Sequence, residues 1–121
     1  MQVERDQPIQ VVFFRTEAGN EPVREWLKDL SKEDRKIIGE DIKTVQYSWP
    51  VGKPLVDNLR QQIWEVRSSL RGRLARTLFT VYEREIILLH GFIKKARKTP
   101  SEELKLANKR RSIYVRNYEK E

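Results

Sequence analysis

Apolar and polar positions along the chain change period twice, and the changes divide it into elements. Ile9–Phe14 is short, β-branched and aromatic and follows Pro8, which predicts a strand. Gly19, Asn20 and Pro22 then form a helix start, with Asn20 near the cap and Pro22 in the first turn. Val23, Trp26, Leu27 and Leu30 recur on one helical face. A second helix opens at Ser31, whose side chain is placed to cap the amide of Asp34. Ile38, Ile42, Val45 and Trp49 form its stripe, and Pro50 stops it. Residues 51–61 read as a polar connection containing Gly52 and Pro54.

After that connection the period becomes two. Ile63–Arg67 reads as a strand, Ser68–Gly72 as its turn, Leu74–Tyr82 as the next strand and Ile86–Lys94 as a third, largely apolar and therefore central. Short turns between the three imply an antiparallel meander. Thr99-Pro100-Ser101-Glu102 is a helix start with Thr as cap and Pro at the first helical position. The final helix carries a thin apolar stripe of Leu104, Ala107 and Tyr114 and is otherwise rich in Lys and Arg. The predicted order is β-α-α-β-β-β-α. This is an α+β fold with a twisted, mainly antiparallel sheet, helices on one side and a basic surface on the other. Residues 1–121 read as a single domain, with loose ends before Pro8 and after Asn117.

Charge changes this picture more than composition does. The chain of 121 residues carries 25 Lys+Arg against 18 Asp+Glu, a net +7. Residues 1–59 hold −2, residues 60–90 hold +3 and residues 91–121 hold +6. An excess concentrated in the second half points to a polyanionic partner. With no Cys there is no disulfide framework, thiolate metal site or cysteine nucleophile, and a single His excludes the usual zinc sets. No D-x-D or H-x-x-E arrangement supports a two-metal nuclease. The longest apolar run is far short of the roughly 20 residues that span a bilayer. The N-terminus lacks the apolar segment of a signal peptide, so a cytoplasmic location without membrane attachment is expected.

Two basic clusters carry the candidate chemistry. Residues 67–76 read R-S-S-L-R-G-R-L-A-R, with Arg67, Arg71, Arg73 and Arg76 and no acid among them. On neighbouring strands, Arg67 and Arg73 or Arg76 could share a face and converge on one groove, where a planar guanidinium suits phosphate. The alternative is that such arginines only keep a sheet edge soluble. The second cluster, Lys94, Lys95, Arg97 and Lys98, precedes the Thr99 helix start, whose free amides also favour an anion; a solvated loop would explain it equally. His90, near the end of an apolar strand, is either a packed, hydrogen-bonded residue or a group for acid–base chemistry. The tryptophans and Tyr114 fit core packing.

Several segments together resemble the phage-derived branch of HigB/RelE-type bacterial toxins. They are Trp64-Glu-Val-Arg67, Gly72-Arg73 with Arg76, Leu88–Lys95, and Lys98-Thr99-Pro100 with Glu103 and Ala107. The resemblance runs from about Val11 to Arg110 and implies a small microbial-ribonuclease-like RelE fold. It also implies a metal-independent, cofactor-free mRNA endoribonuclease that acts at the ribosome and so inhibits translation. Its partner would be a HigA-like helix-turn-helix antitoxin, with operator DNA engaged only through that antitoxin.

Under that resemblance Arg67, Arg73 and Arg76 serve phosphate and transition-state binding, and Lys95 and Lys98 substrate binding and acid–base work. Arg71, Lys94, Arg97, Thr99 and Lys109 line the RNA path. Many relatives carry a Tyr or His near the start of the last helix, where this chain has Thr99, Pro100 and Ser101. Lys98, Lys95 and His90 are therefore the contenders for general base. A non-catalytic RNA- or ribosome-binding module, or a degenerate toxin, needs the same cations. A DNA-binding regulator is disfavoured because no helix-turn-helix pattern occurs.

Overall fold

The computed structural model describes residues 8–94 and 99–120, with Lys94 described by its backbone. The elements are β1 (Gln10–Phe13), α1 (Pro22–Lys28), α2 (Lys32–Ser48), β2 (Val56–Arg60), β3 (Ile63–Leu70), β4 (Arg73–Tyr82), β5 (Glu85–Lys94) and α3 (Ser101–Lys120). They form an α+β structure around one five-stranded mixed sheet in the order β1-β5-β4-β3-β2. β1 runs parallel to β5 and every other pairing is antiparallel. The predicted order holds with one strand added. β2 falls in the stretch expected to be a polar connection; its sequence, VDNLR, lacks the alternation that marks a strand, and it pairs along one edge only, with β3. β5 lies between β1 and β4, one position from the centre, which β4 occupies.

Local chemistry explains the helix boundaries. Ser31 caps α2 as expected, accepting a hydrogen bond from the Asp34 amide at 3.1 Å. α1 starts one position later than its Asn20 signal suggests, with Glu21 as N-cap and Pro22 in the first turn. Among the described residues no helix is long and apolar enough to cross a membrane.

The expectation of helices on one side of the sheet is corrected. Val23 of α1 and Ile38, Ile42 and Val45 of α2 pack with Val66, Leu70, Ala75, Phe79, Ile86 and Leu88 on one face. Ala107 of α3, flanked by Leu104, Ile113 and Tyr114, packs with Ile63, Leu78, Ile87, Leu89 and Phe92 on the other. The strands are therefore apolar on both faces. An apolar stripe on a helix predicts that the helix packs, but not which face of the sheet it crosses.

A register skip in β5 positions the site. Phe79 pairs with Leu88 while Leu78 pairs with His90, so Leu89 is an extra residue, a β-bulge. The bulge turns both Leu89 and His90 toward α3 and leaves Gly91 facing α1. There the Trp26 ring lies directly against the Gly91 backbone, in space a Cβ would occupy.

Candidate functional site

The two-residue turn Arg71–Gly72 pairs Leu70 with Arg73 and so fixes the register of β3 on β4. In that register Arg67 and Arg76 are direct cross-strand partners. Directly opposed residues share a face, and this one is the face that α3 covers. Glu65 lies two positions before Arg67 and joins them there.

These three side chains meet residue 99, just ahead of α3. The Glu65 carboxylate lies 3.7 Å from an Arg76 guanidinium nitrogen and 3.8 Å from Nε of Arg67. The Thr99 hydroxyl donates to Glu65 Oε1 and accepts from Arg76 Nη1. Glu65 and Arg76 are each 1% exposed, so a full ion pair is buried between sheet and helix. Such a pair is tolerated because each ion meets an opposite charge and hydrogen-bonding groups. Arg67, with 30% of its side chain exposed, is the member that reaches solvent.

A second polar contact ties α3 to the same face. Nε2 of His90 meets Oε1 of Glu103, on the first turn of α3, at 2.5 Å. The imidazole also stacks on Phe92, with ring centroids 5.5 Å apart. Since Leu78 pairs with both Glu65 and His90, the acid and the imidazole lie in one cross-strand row, two strands apart. That separation is about 10 Å.

The other expected residues fall elsewhere. Arg73 is on the opposite face, bound to Asp34 of α2 at 2.9 Å, and its Nε donates to the Arg71 carbonyl at 3.3 Å. It therefore does not converge with Arg67 and Arg76. Arg71 is exposed in the turn. Thr99, expected as a helix cap, directs its hydroxyl into the Glu65–Arg76 pair instead. Lys109 is exposed eight residues along α3 from Ser101, about 12 Å by helical rise. Lys95, Arg97 and Lys98 lie outside the described residues, as does the Lys94 side chain.

Two acids that belong to the resemblance, Glu65 and Glu103, are given no role by the sequence reading. Glu65 is signalled by its place two residues from Arg67, on the same face of a strand whose first four residues are otherwise apolar, where a lone acid needs a buried cation. Glu103 is marked by the resemblance and by its position in the first turn of α3, but neither says that it meets His90. Among the described residues no group of three or more His, Asp or Glu side chains could hold a metal ion. The arrangement joins one accessible guanidinium and a carboxylate-paired imidazole to a rigid ionic underlayer. Those parts suit binding a phosphate and moving a proton beside it.

A family model described as "Phage derived protein Gp49-like (DUF891)" matches residues 25–112, a span that runs from within α1 through α2 and β2 to β5 into α3. A comparison with curated proteins finds no match.

Proposed function

We propose, because the chain belongs to the phage-derived Gp49-like family, a RelE/HigB-like toxin family, that it is an endoribonuclease that cuts messenger RNA on the ribosome. The family implies an antitoxin partner. The observation that carries the catalytic part is the convergence of Arg67, Arg76, Glu65 and Thr99 where α3 begins.

RNA supplies its own nucleophile. The 2′-hydroxyl attacks the adjacent phosphorus, the bond to the 5′-oxygen breaks, and the products are a 2′,3′-cyclic phosphate and a 5′-hydroxyl. A base takes the 2′-hydroxyl proton and an acid returns one to the leaving 5′-oxygen. The protein's task is to hold the in-line geometry, move these protons and stabilise the dianionic phosphorane.

In this reading Arg67 grips the scissile phosphate, since its side chain reaches solvent in part and a guanidinium donates in a fork matched to phosphate oxygens. Glu65, Arg76 and Thr99 are positioning residues that fix Arg67 from beneath. His90, oriented by Glu103, takes the 2′-hydroxyl proton. Lys95 or Lys98 serves the leaving group, a role supported by their place in the sequence between β5 and Thr99.

The test is expression of wild type and Arg67→Ala beside a translated reporter and an untranslated copy, with mapping of RNA 5′ ends. Wild type should create new 5′-hydroxyl ends within the translated message, and Arg67→Ala about 10²- to 10³-fold fewer. If wild type cuts neither RNA, the nuclease reading fails and a non-catalytic RNA binder replaces it. If Arg67→Ala cuts like wild type, the site is wrong and the activity stands.

A further inference from the structure

α3 uses one face to cover the sheet, yet a neighbouring face is also apolar in part. Leu106 belongs to neither packed core, and Ile113, two turns further on and only partly buried at the edge of the α3-side core, lines the same cleft. Together with the loop that follows β1, they line a cleft of about 560 Å³. Phe14 closes its floor but is only 3% exposed, so the aromatic face itself is not offered.

The rim is strongly cationic. Lys109, Arg110 and Arg116 of α3 and Arg15 of the loop line it, against the single carboxylate of Glu17. Lys109 and Arg116 are exposed and form no salt bridge among the described residues. Arg15 is 69% exposed and meets Glu21 only at 3.8 Å, a pairing of little strength in water. Arg110 is fixed in place, donating to the Leu89 carbonyl at 2.8 Å with its guanidinium 5.8 Å from the Phe14 ring centroid. Burial lowers its pKa from the ordinary value, so an added anion would stabilise its charge.

We propose that this cleft is a docking site for an acidic amphipathic segment of a partner protein, whose apolar side chains seat on Leu106 and Ile113 while its carboxylates face Lys109, Arg110, Arg116 and Arg15. Leu106 and Ile113 are seven residues apart, about 10 Å along the helix. That is the spacing on which an incoming helix presents its own i and i+7 anchors. Aliphatic anchors within a cationic rim select carboxylate-bearing amphipathic chains; RNA bases would need an exposed flat ring, and the buried Phe14 gives none. Lys109, expected on the RNA path, is thereby assigned to this cleft, away from the Glu65–Arg76 centre. The inference rests on the toxin reading only in naming the antitoxin as that partner.

The test titrates the full chain with a labelled synthetic helix carrying leucines at i, i+3, i+4 and i+7 and glutamates elsewhere. The same peptide with serine for leucine and a short single-stranded RNA are run beside it. Saturable binding of the leucine–glutamate peptide is expected, weakened about tenfold or more by Arg116→Glu and by Arg15→Glu and falling with salt. No saturable binding overturns the proposal. So does equal binding of the serine peptide, which would remove the apolar anchor. RNA binding that Arg116→Glu weakens as much as it weakens peptide binding would make the cleft a nucleic-acid groove and also overturn it. Arg116→Glu should leave message cleavage at the wild-type level. Failure of the nuclease reading would appear as absent cleavage with peptide binding intact, so the two are told apart.

Discussion

Arg67 and Arg76 are direct partners across β3 and β4, both near the same Glu65 oxygen, yet one side chain reaches solvent and the other is buried against Thr99, just ahead of α3. Their substitutions should therefore separate. Arg76→Ala leaves Glu65 buried without its main counter-ion and should cost about 3–5 kcal/mol of stability, read as a lower urea midpoint. Arg67→Ala should cost about 1 kcal/mol or less while removing message cleavage. If the two variants unfold alike, the distinction between underlayer and contact residue is wrong.

Thr99 offers a sharper test, because its hydroxyl has two candidate duties. If it only capped α3, Thr99→Asp would be neutral, since Asp is as good a cap. Donating to Glu65, it should instead make Thr99→Asp strongly destabilising by setting a second carboxylate against the first. Thr99→Val, which leaves Glu65 and Arg76 each short of a partner, should cost about 1–3 kcal/mol. Thermal unfolding of the Asp, Val and Ser variants decides it, with Ser expected to retain most of the wild-type stability.

Much of this was legible in the sequence where a local cause sufficed. Ser31 capped α2, Pro50 followed its end, and alternation in residues 63–94 marked the meander. What escaped depended on parity and on three-dimensional crossing. Arg73 and Arg76 are three residues apart, so on a strand they must face opposite sides. Only the Arg71–Gly72 turn register shows that Arg76 is the one opposite Arg67. Glu65 sits two residues from Arg67, but its burial depends on which face of the sheet α3 covers, and the apolar stripe of α3 does not state that face. His90 reaches α3 because of a bulge at Leu89, and no glycine or proline announces that bulge at the residue itself.

Arg73 illustrates what parity does to function. Its guanidinium holds Asp34 at 2.9 Å and fastens the β3–β4 turn to the first turn of α2. Arg73→Ala should leave message cleavage unchanged and lower stability by about 1 kcal/mol. A double-mutant cycle with Asp34→Ala should give a coupling of about 0.5–1 kcal/mol. A loss of cleavage in folded Arg73→Ala would return this residue to the site.

Gly91 is the residue whose side chain is missing for a packing reason. It is the β5 position immediately after His90, and the Trp26 ring of α1 occupies the space where a Cβ would stand. Its backbone does not need a left-handed conformation, so the restriction is steric, and the nearest atoms in the way are those of the Trp26 ring. Gly91→Ala must push the indole, and with it α1, off the sheet, at about 1–3 kcal/mol. Because His90 is the adjacent residue, the displacement should also loosen its contact with Glu103 and reduce message cleavage along with stability. Trp26→Ala opens the space at its own cost of about 3–5 kcal/mol, and in that background the added methyl should cost little. Urea unfolding of the two single variants and the double variant measures the coupling, which should approach the whole effect of Gly91→Ala. Equal penalties for the methyl in both backgrounds would mean that the strand itself, and not the tryptophan, demands glycine here.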